Sequence, residues 1–277
     1  MTQKVRVGVV KVGNIGTSTM VDLLLDERAE REDVEFRVVG SGPKMLKEEC
    51  EEVAEKILEF KPDIVVVISP NPALPGPTAA RKIVARSGKP VVVIGDAPGK
   101  RVVPDLEKEG LGYIMIEADS MIGARREFLD PAEMAIFNAN VVKTLSVTGA
   151  FNIVCEEIDR VISGVKAGST YLPRVVITRD KAVEAAGFEN PYARAKAMAA
   201  YEIARRVADV SMEGCFKVKE MEKYVPIVAS AHEMMEIASK LSDEARELEK
   251  STDVLLRKPH ADDGKLLVKR KLMEKPK

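Results

Sequence analysis

The chain has 277 residues, of which 45% are hydrophobic and 31% charged, and its 43 Lys and Arg stand against 44 Asp and Glu for a formal net charge of −1. That length and composition suit one large core or two smaller ones in an ordinary globular protein and exclude large-scale disorder. The balance of charge leaves neither the basic surplus of a nucleic-acid binder nor the acidic tail of a protein with a cationic partner, so a small molecule is the expected partner.

The first element is the apolar run VRVGVV (5 to 10), followed by Lys11-Val12-Gly13-Asn14-Ile15-Gly16-Thr17 and then a helical segment, VDLLLDERAE (21 to 30), that Thr17, Ser18 and Thr19 can cap and open. Further runs follow: FRVVG (36 to 40), DIVVVIS (63 to 69), PVVVIGD (90 to 96) and GYIMIEAD (112 to 119). They lack period-2 alternation and are rich in Val and Ile, as strands covered on both faces of a parallel sheet must be. Between them KEECEEVAEKILEF (47 to 60), with Val53, Ile57 and Leu58 as an apolar stripe, and TAARKIVARSG (78 to 88), closed by Gly88, read as helices. The expected fold is α/β: an open parallel sheet complete by about residue 117, followed by a helical bundle and a small C-terminal segment.

Beyond the sheet, Ala and Met replace Val and the spacing becomes helical. DPAEMAIFNANVVKTLSVTG has Asp130 and Pro131 at its start and Gly149 as a stop, and NPYARAKAMAAYEIARRVADV repeats the device with Asn190 and Pro191. A strand candidate, LPRVVIT (172 to 178), interrupts the helices; a third long helical pattern runs from about Lys219 to Glu249, kinked or started by Pro226. The tail from Arg257 carries Asp262, Asp263 and Gly264 as a turn, a small hairpin or a loose end. The expected divisions are 1–117, 118–250 and 251–277. The shortage of large side chains in the helices implies burial against another subunit.

Ligands of open parallel sheets sit beyond the carboxyl ends of the strands, so the loops carry the functional expectation. Loop 1, with Gly13, Asn14, Ile15 and Thr17, lacks the G-x-G-x-x-G that lays a pyrophosphate against backbone, yet free N–H groups at the following helix start suit an anionic or carbonyl-bearing ligand. After the second strand comes Ser41-Gly42-Pro43, with no carboxylate to grip an adenosine ribose, which counts against NAD. Loop 3, opening with Ser69, Pro70 and Asn71, has four prolines in nine residues and reads as a rigid wall for a planar ring. Loop 4 offers Asp96. The junction after the fifth run, with Asp119, Met121 and Arg126, suits a cleft wall.

Equally informative is what the sequence lacks. His232 and His260 stand alone, and no H-E-x-x-H, G-x-S-x-G, Cys/His pairing or metal-ligand spacing occurs, so neither a metal nor a proton-transfer side chain is expected. Cys50, Cys155 and Cys215 lie far apart and read as small buried residues in a reducing cytosol. No leader pattern opens the chain and no apolar run approaches the roughly 18 residues of a bilayer span, so a cytoplasmic protein with no membrane or nucleic-acid partner is expected.

The strings VGVVKVGNIGTS, VISPNPALPGPTAAR, VVIGDAPG, DSMIGARREFLDPAEMAIFNA, NPYARAKAMAAYEIA, IVASAHEMMEIA and RKPHADDG resemble the coenzyme F420-dependent methylenetetrahydromethanopterin dehydrogenases of methanogenic archaea, over nearly the whole chain. The resemblance implies a modified Rossmann-like α/β domain with a helical bundle and a small C-terminal piece. It also implies a homohexamer, and reversible hydride transfer between the methylene carbon of methylenetetrahydromethanopterin and C5 of the deazaflavin F420, a step in methane formation from carbon dioxide. On that reading Gly13, Asn14, Ile15, Thr17, Ser69, Pro70 and Asn71 are expected to hold the coenzyme and Asp96, Asp119, Met121 and Arg126 the carrier, with no catalytic side chain and no metal. A nicotinamide-dependent oxidoreductase and a non-catalytic ligand-binding α/β protein are the competing readings.

Overall fold

Strands that are apolar on both faces need cover on both faces; the four inner strands of the sheet receive it and the two edge strands, FRVVG among them, only in part, in a sheet of six parallel strands. In a computed structural model, which describes residues 4–24 and 31–277, they are β1 (Val5–Lys11), β2 (Val34–Gly40), β3 (Ile64–Ser69), β4 (Val91–Asp96), β5 (Gly112–Ile116) and β6 (Arg174–Ile177). Their order is β2-β1-β3-β4-β5-β6, with Val7 opposite Phe36 on one side and Ile64 on the other, and Tyr113 opposite Arg174. The chain therefore reverses its direction across the sheet between β1 and β3, and the loops after these two strands flank that point.

Alternate residues of each strand serve different layers. Val10, Val65, Val67, Val93 and Met115 face α2 (Lys47–Glu59), α3 (Pro75–Ala85) and α4 (Val103–Lys108), where Val53, Ile57, Ala80, Val84 and Leu106 complete one core. Val7, Val9, Ile64, Val66, Ile94 and Ile114 face a larger core built with α1 (Gly16–Leu24), α5 (Pro131–Thr148), α6 (Ala150–Lys166), α7 (Arg179–Ala186), α8 (Pro191–Met212) and α9 (Met221–Ser251). Sheet face and bundle share this second core, which runs without a break from Val9 and Ile68 to Tyr201 and Met235.

The helix signals act as their chemistry requires. The Asp130 side chain accepts from the Glu133 N–H at 2.8 Å, and that of Asn190 from Tyr192 and Ala193, each with proline next in the chain. Gly149, at φ +93°, ends α5 and leads directly into α6. Pro226 sits inside α9, near its start, and the helix continues through it. The tail forms antiparallel bridges, Arg257 to Lys269 and His260 to Leu266, around the Asp262–Gly264 turn.

Two features differ from the sequence reading, and a third reaches beyond the described residues. The sheet is not complete at about residue 117, because β6 joins β5; at the edge only Ile177 of its four residues is buried, and the segment reads as an interruption of the helices. Helices α6 and α7 carry no sequence expectation at all. Of the helical segment expected over 21–30, α1 accounts for the part up to Leu24, and residues 25–30 lie outside the described residues.

Candidate functional site

The turn after β1 brings the first correction. Helix α1 begins at Gly16, but its N-terminus is occupied. The Asp119 carboxylate, delivered by the loop after β5, accepts from the Gly16 N–H at 2.6 Å, from the Thr17 N–H at 3.0 Å and from the Thr17 hydroxyl. The free N–H groups expected there for an anionic ligand are thus satisfied from within the chain. Gly13, at φ +81°, is fixed by space as well as by backbone: a Cβ there would lie 2.6 Å from Met45 Sδ and 2.9 Å from Pro70 Cδ. Gly13, Ile15 and Thr17 are buried, and Asn14 is exposed with its Nδ2 3.4 Å from Asn138 Oδ1.

Loop 3 is shorter than its prolines suggest, because Pro75 and Pro77 already belong to the first turn of α3. Its stiffness has a further source in the buried Arg81, whose Nη1 donates to the Pro72 carbonyl at 2.9 Å while Nε and Nη2 grip the Glu109 carboxylate at 3.0 and 3.3 Å. Asn71 Oδ1 accepts from Ala73 N–H, closing an Asx turn. Ser69, fully buried, accepts from the Asn71 N–H. Gly95 lets this loop lie on β4, since a Cβ there would meet Pro72 at 2.6 Å.

Beyond these strand ends lies a cleft of about 390 Å³. Met45, Pro70, Leu74, Pro98, Met121, Met212 and Phe216 make it apolar, and Asn71, Asp96, Ser211 and Lys217 are the polar residues on its wall, with Ala208 between. A concave apolar site with a few polar groups at the carboxyl end of an open sheet has the form of a small-molecule site. Four of the expected residues meet here: Pro70 and Asn71 from the coenzyme group, Asp96 and Met121 from the carrier group. Gly13 and Ser69 stand behind its wall, next to Met45 and Pro70. Asp119 is fully buried and engaged with loop 1, and Arg126 is exposed and does not line the cleft.

The opposite wall was not anticipated. It comes from the end of α8 and a π-helical turn, Glu213–Lys217, that carries Phe216, 60% exposed, to the rim. Arg125 holds this turn: its Nε donates to the Gly214 carbonyl at 3.1 Å and Nη2 to Val218 at 3.2 Å, with the guanidinium 4.2 Å from the centre of the Tyr224 ring. Ser120 Oγ donates to the Ala204 carbonyl at 2.8 Å and ties the junction to α8. The available signal was the glycine and aromatic, Gly214 and Phe216, that break the helical pattern after Met212.

Two carboxyls dominate the electrostatics. Burial raises Asp119 to about 6, against the lowering effect of its bonds from Thr17 and Gly16. Burial and then the neighbouring Asp119 charge hold Asp96 well above the usual carboxylate range. Neither histidine lines the cleft: His232 Nδ1 meets Glu133 at 3.2 Å between the rings of Phe128 and Phe137, and His260 Nε2 meets Asp159 at 2.6 Å in the tail. Among the described residues no group of three or more His, Cys, Asp or Glu could hold a metal, and no helix is long and apolar enough to cross a membrane.

Comparison with known proteins adds a family. The model of methylene-5,6,7,8-tetrahydromethanopterin dehydrogenase matches residues 5–277. F420-dependent methylenetetrahydromethanopterin dehydrogenases of Archaeoglobus fulgidus and Methanocaldococcus jannaschii are 62% and 60% identical, over 98% of this chain and 99% of theirs. A solved structure of an F420-dependent methylene-tetrahydromethanopterin dehydrogenase in complex with methylene-tetrahydromethanopterin and coenzyme F420 is similar with a TM-score of 0.96 at 55% identity, over 99% of this chain and 100% of that one.

Proposed function

This chain belongs to the methylene-5,6,7,8-tetrahydromethanopterin dehydrogenase family, and we propose that it transfers a hydride reversibly from 5,10-methylenetetrahydromethanopterin to oxidised coenzyme F420. The products are methenyltetrahydromethanopterin and reduced F420, which makes the protein an oxidoreductase acting on CH–NH donors. The observation that carries this reading is full-length likeness to a protein whose structure holds both reactants, joined to an apolar cleft at the end of the sheet.

The residues present fit a flat, largely uncharged ring. Met45, Pro70, Leu74 and Pro98 offer apolar surface, and loop 3 is braced by Arg81 so that the wall is formed before a ligand arrives. The coenzyme supplies a deazaflavin carbon that accepts hydride, and the carrier supplies a methylene whose two flanking nitrogens stabilise the cation left behind. The protein's share is then to orient the two rings and exclude water, which can supply several kcal/mol of the barrier without a side-chain base. In this reading Gly13, Asn14, Ile15, Thr17, Ser69, Pro70 and Asn71 shape and contact the coenzyme site. Asp96, Asp119, Met121 and Arg126 serve the carrier. A place at the ligand site is supported for Pro70, Asn71, Asp96 and Met121 by their positions in one cleft, and for loop 1 and Asp119 by the bond network that joins them. Residues 1–117 then act as the coenzyme-binding part, 118–250 as the opposing wall, and 251–277 as a small extension.

The test is optical: adding methylene-carrier to enzyme and oxidised F420 should remove the deazaflavin absorption with turnover, whereas a merely static shift would contradict the reading. A cytoplasmic homohexamer serving methane formation from carbon dioxide belongs to the same proposal. Its support is apolar surface on the bundle, with Met134 and Ile136 on α5, Tyr192 on α8 and Ile237 on α9 all exposed. Equilibrium sedimentation showing active monomers would overturn the oligomer.

A further inference from the structure

Two polar atoms on the cleft wall break the rule that buried polar groups are partnered. Asp96, at the end of β4 and 3% exposed, has Oδ1 without a hydrogen-bond partner among the described residues, and Ser211, in the last turn of α8 and 1% exposed, has an unpartnered Oγ. The serine is the more telling. Ser and Thr hydroxyls inside a helix ordinarily bond back to the carbonyl four residues earlier. Ser146, Thr148 and Ser242 do so here, to Val142, Thr144 and Ala238; Ser211 and Thr144 do not, and of these two only Ser211 lines the cleft. Both residues line the same cavity, Asp96 from the end of β4 and Ser211 from α8.

The charge state of Asp96 follows from its burial first and from its neighbour second. Asp119 accepts three donors, which oppose the burial that raises its carboxyl to about 6, and a negative charge on Asp96 beside it in an apolar, buried site is disfavoured. A neutral carboxyl can donate through its O–H where an ionised one can only accept.

We propose that the neutral Asp96 carboxyl and the Ser211 hydroxyl together read a lactam edge, a ring C=O beside a ring N–H, on the ligand that enters the cleft. Such an edge occurs on both the deazaflavin and the pterin, and two buried, otherwise unpartnered groups reject a ring that lacks it, because binding would leave them unpaired. This inference rests on the proposed function for the identity of the two ligands.

The experiment measures dissociation constants for F420 alone and for tetrahydromethanopterin alone, in the full-length protein and in Asp96→Asn, Asp96→Ala and Ser211→Ala, each checked for folding by circular dichroism. Asp96→Ala and Ser211→Ala are expected to weaken one ligand by about tenfold to a hundredfold, while Asp96→Asn, which keeps an N–H donor and a C=O, stays within about threefold of the parent. Loss confined to F420 assigns the edge to the deazaflavin; loss confined to tetrahydromethanopterin assigns it to the pterin. An Asn variant as impaired as the Ala variant would show that a carboxylate is required and overturn the neutral donor. Unchanged binding of both ligands in the Ala variants would overturn the site itself. If Asp96→Ala fails to fold, Ser211→Ala and Asp96→Asn decide on the same criteria. Parent protein that binds both ligands but passes no hydride would sink the proposed reaction and leave this binding comparison intact.

Discussion

Asp119 is bound to Thr17 twice, through the backbone N–H at 3.0 Å and through the hydroxyl, so a carboxylate from the end of β5 closes the helix that follows β1. The contact joins the two sides of the site: loop 1 is held in place by the same junction that carries Met121 into the cleft and Arg125 against the π-helical turn. Removing the carboxylate by Asp119→Ala strands buried N–H groups at Gly16 and Thr17. The expected loss is about 2 to 4 kcal/mol in denaturant unfolding. A loss below about 1 kcal/mol would show that these groups find other partners.

Gly13→Val brings two conflicts, a β-branched residue at φ +81° and a Cβ 2.6 Å from Met45 Sδ and 2.9 Å from Pro70 Cδ. Met45 and Pro70 line the cleft, so their displacement should raise the Kd for F420 by roughly tenfold or more, even in the fraction that folds. Fluorescence titration of the folded variant checks it, and unchanged affinity would separate loop 1 from the coenzyme site.

Neither histidine is placed to move a proton in the cleft. His232→Asn and His260→Ala should each keep kcat within about tenfold of the parent, below the roughly 10² to 10⁴ usually lost with a general base. Single-turnover transfer, with both ligands saturating and folding verified, makes the comparison; a thousandfold drop in either variant would restore a role for that side chain.

The segment leading into β2 offers a pH test. Burial alone would raise the Asp33 carboxyl, but bonds from Arg31 and Lys166, at 2.9 and 2.7 Å, outweigh it and bring it from its ordinary 3.8 down to about 2. Because the folded value lies below the unfolded one, the ionised group stabilises the fold at every pH above about 4, and the contribution fades as the pH falls through about 2. Asp33→Asn should therefore cost roughly 2 kcal/mol at neutral pH and progressively less toward about pH 2.5, by urea unfolding across the range. A difference that does not shrink with acid would contradict the assignment.

The sequence declares these features unevenly, for physical reasons. Strands β1 and β3 to β5 are legible because a buried parallel strand must be apolar on successive residues, whereas β6 at the edge buries only Ile177 and loses that signature. Helix α6 has Phe151, Val154, Ile158, Val161 and Ile162 at helical spacing, but Gly149, a plausible stop, conceals that one glycine serves the end of α5 and the entry to α6. In the cleft, Pro70, Asn71, Asp96 and Met121 could be picked out because they follow strand ends. Ser211, Met212 and Phe216 could not, because only the crossing of α8 over the sheet brings them there. Arg125 turns inward and Arg126 outward in an irregular segment with no periodicity to distinguish them.

The central claim is direct passage of hydride between two bound rings with no side chain or solvent proton between. Methylenetetrahydromethanopterin deuterated at the transferred methylene position, incubated with enzyme and oxidised F420 in ordinary water, measures it through the isotope content of the reduced F420. Deuterium recovered at C5 of the reduced deazaflavin is the expected result, and deuterium lost to solvent while F420 is reduced with solvent hydrogen at C5 would contradict the account.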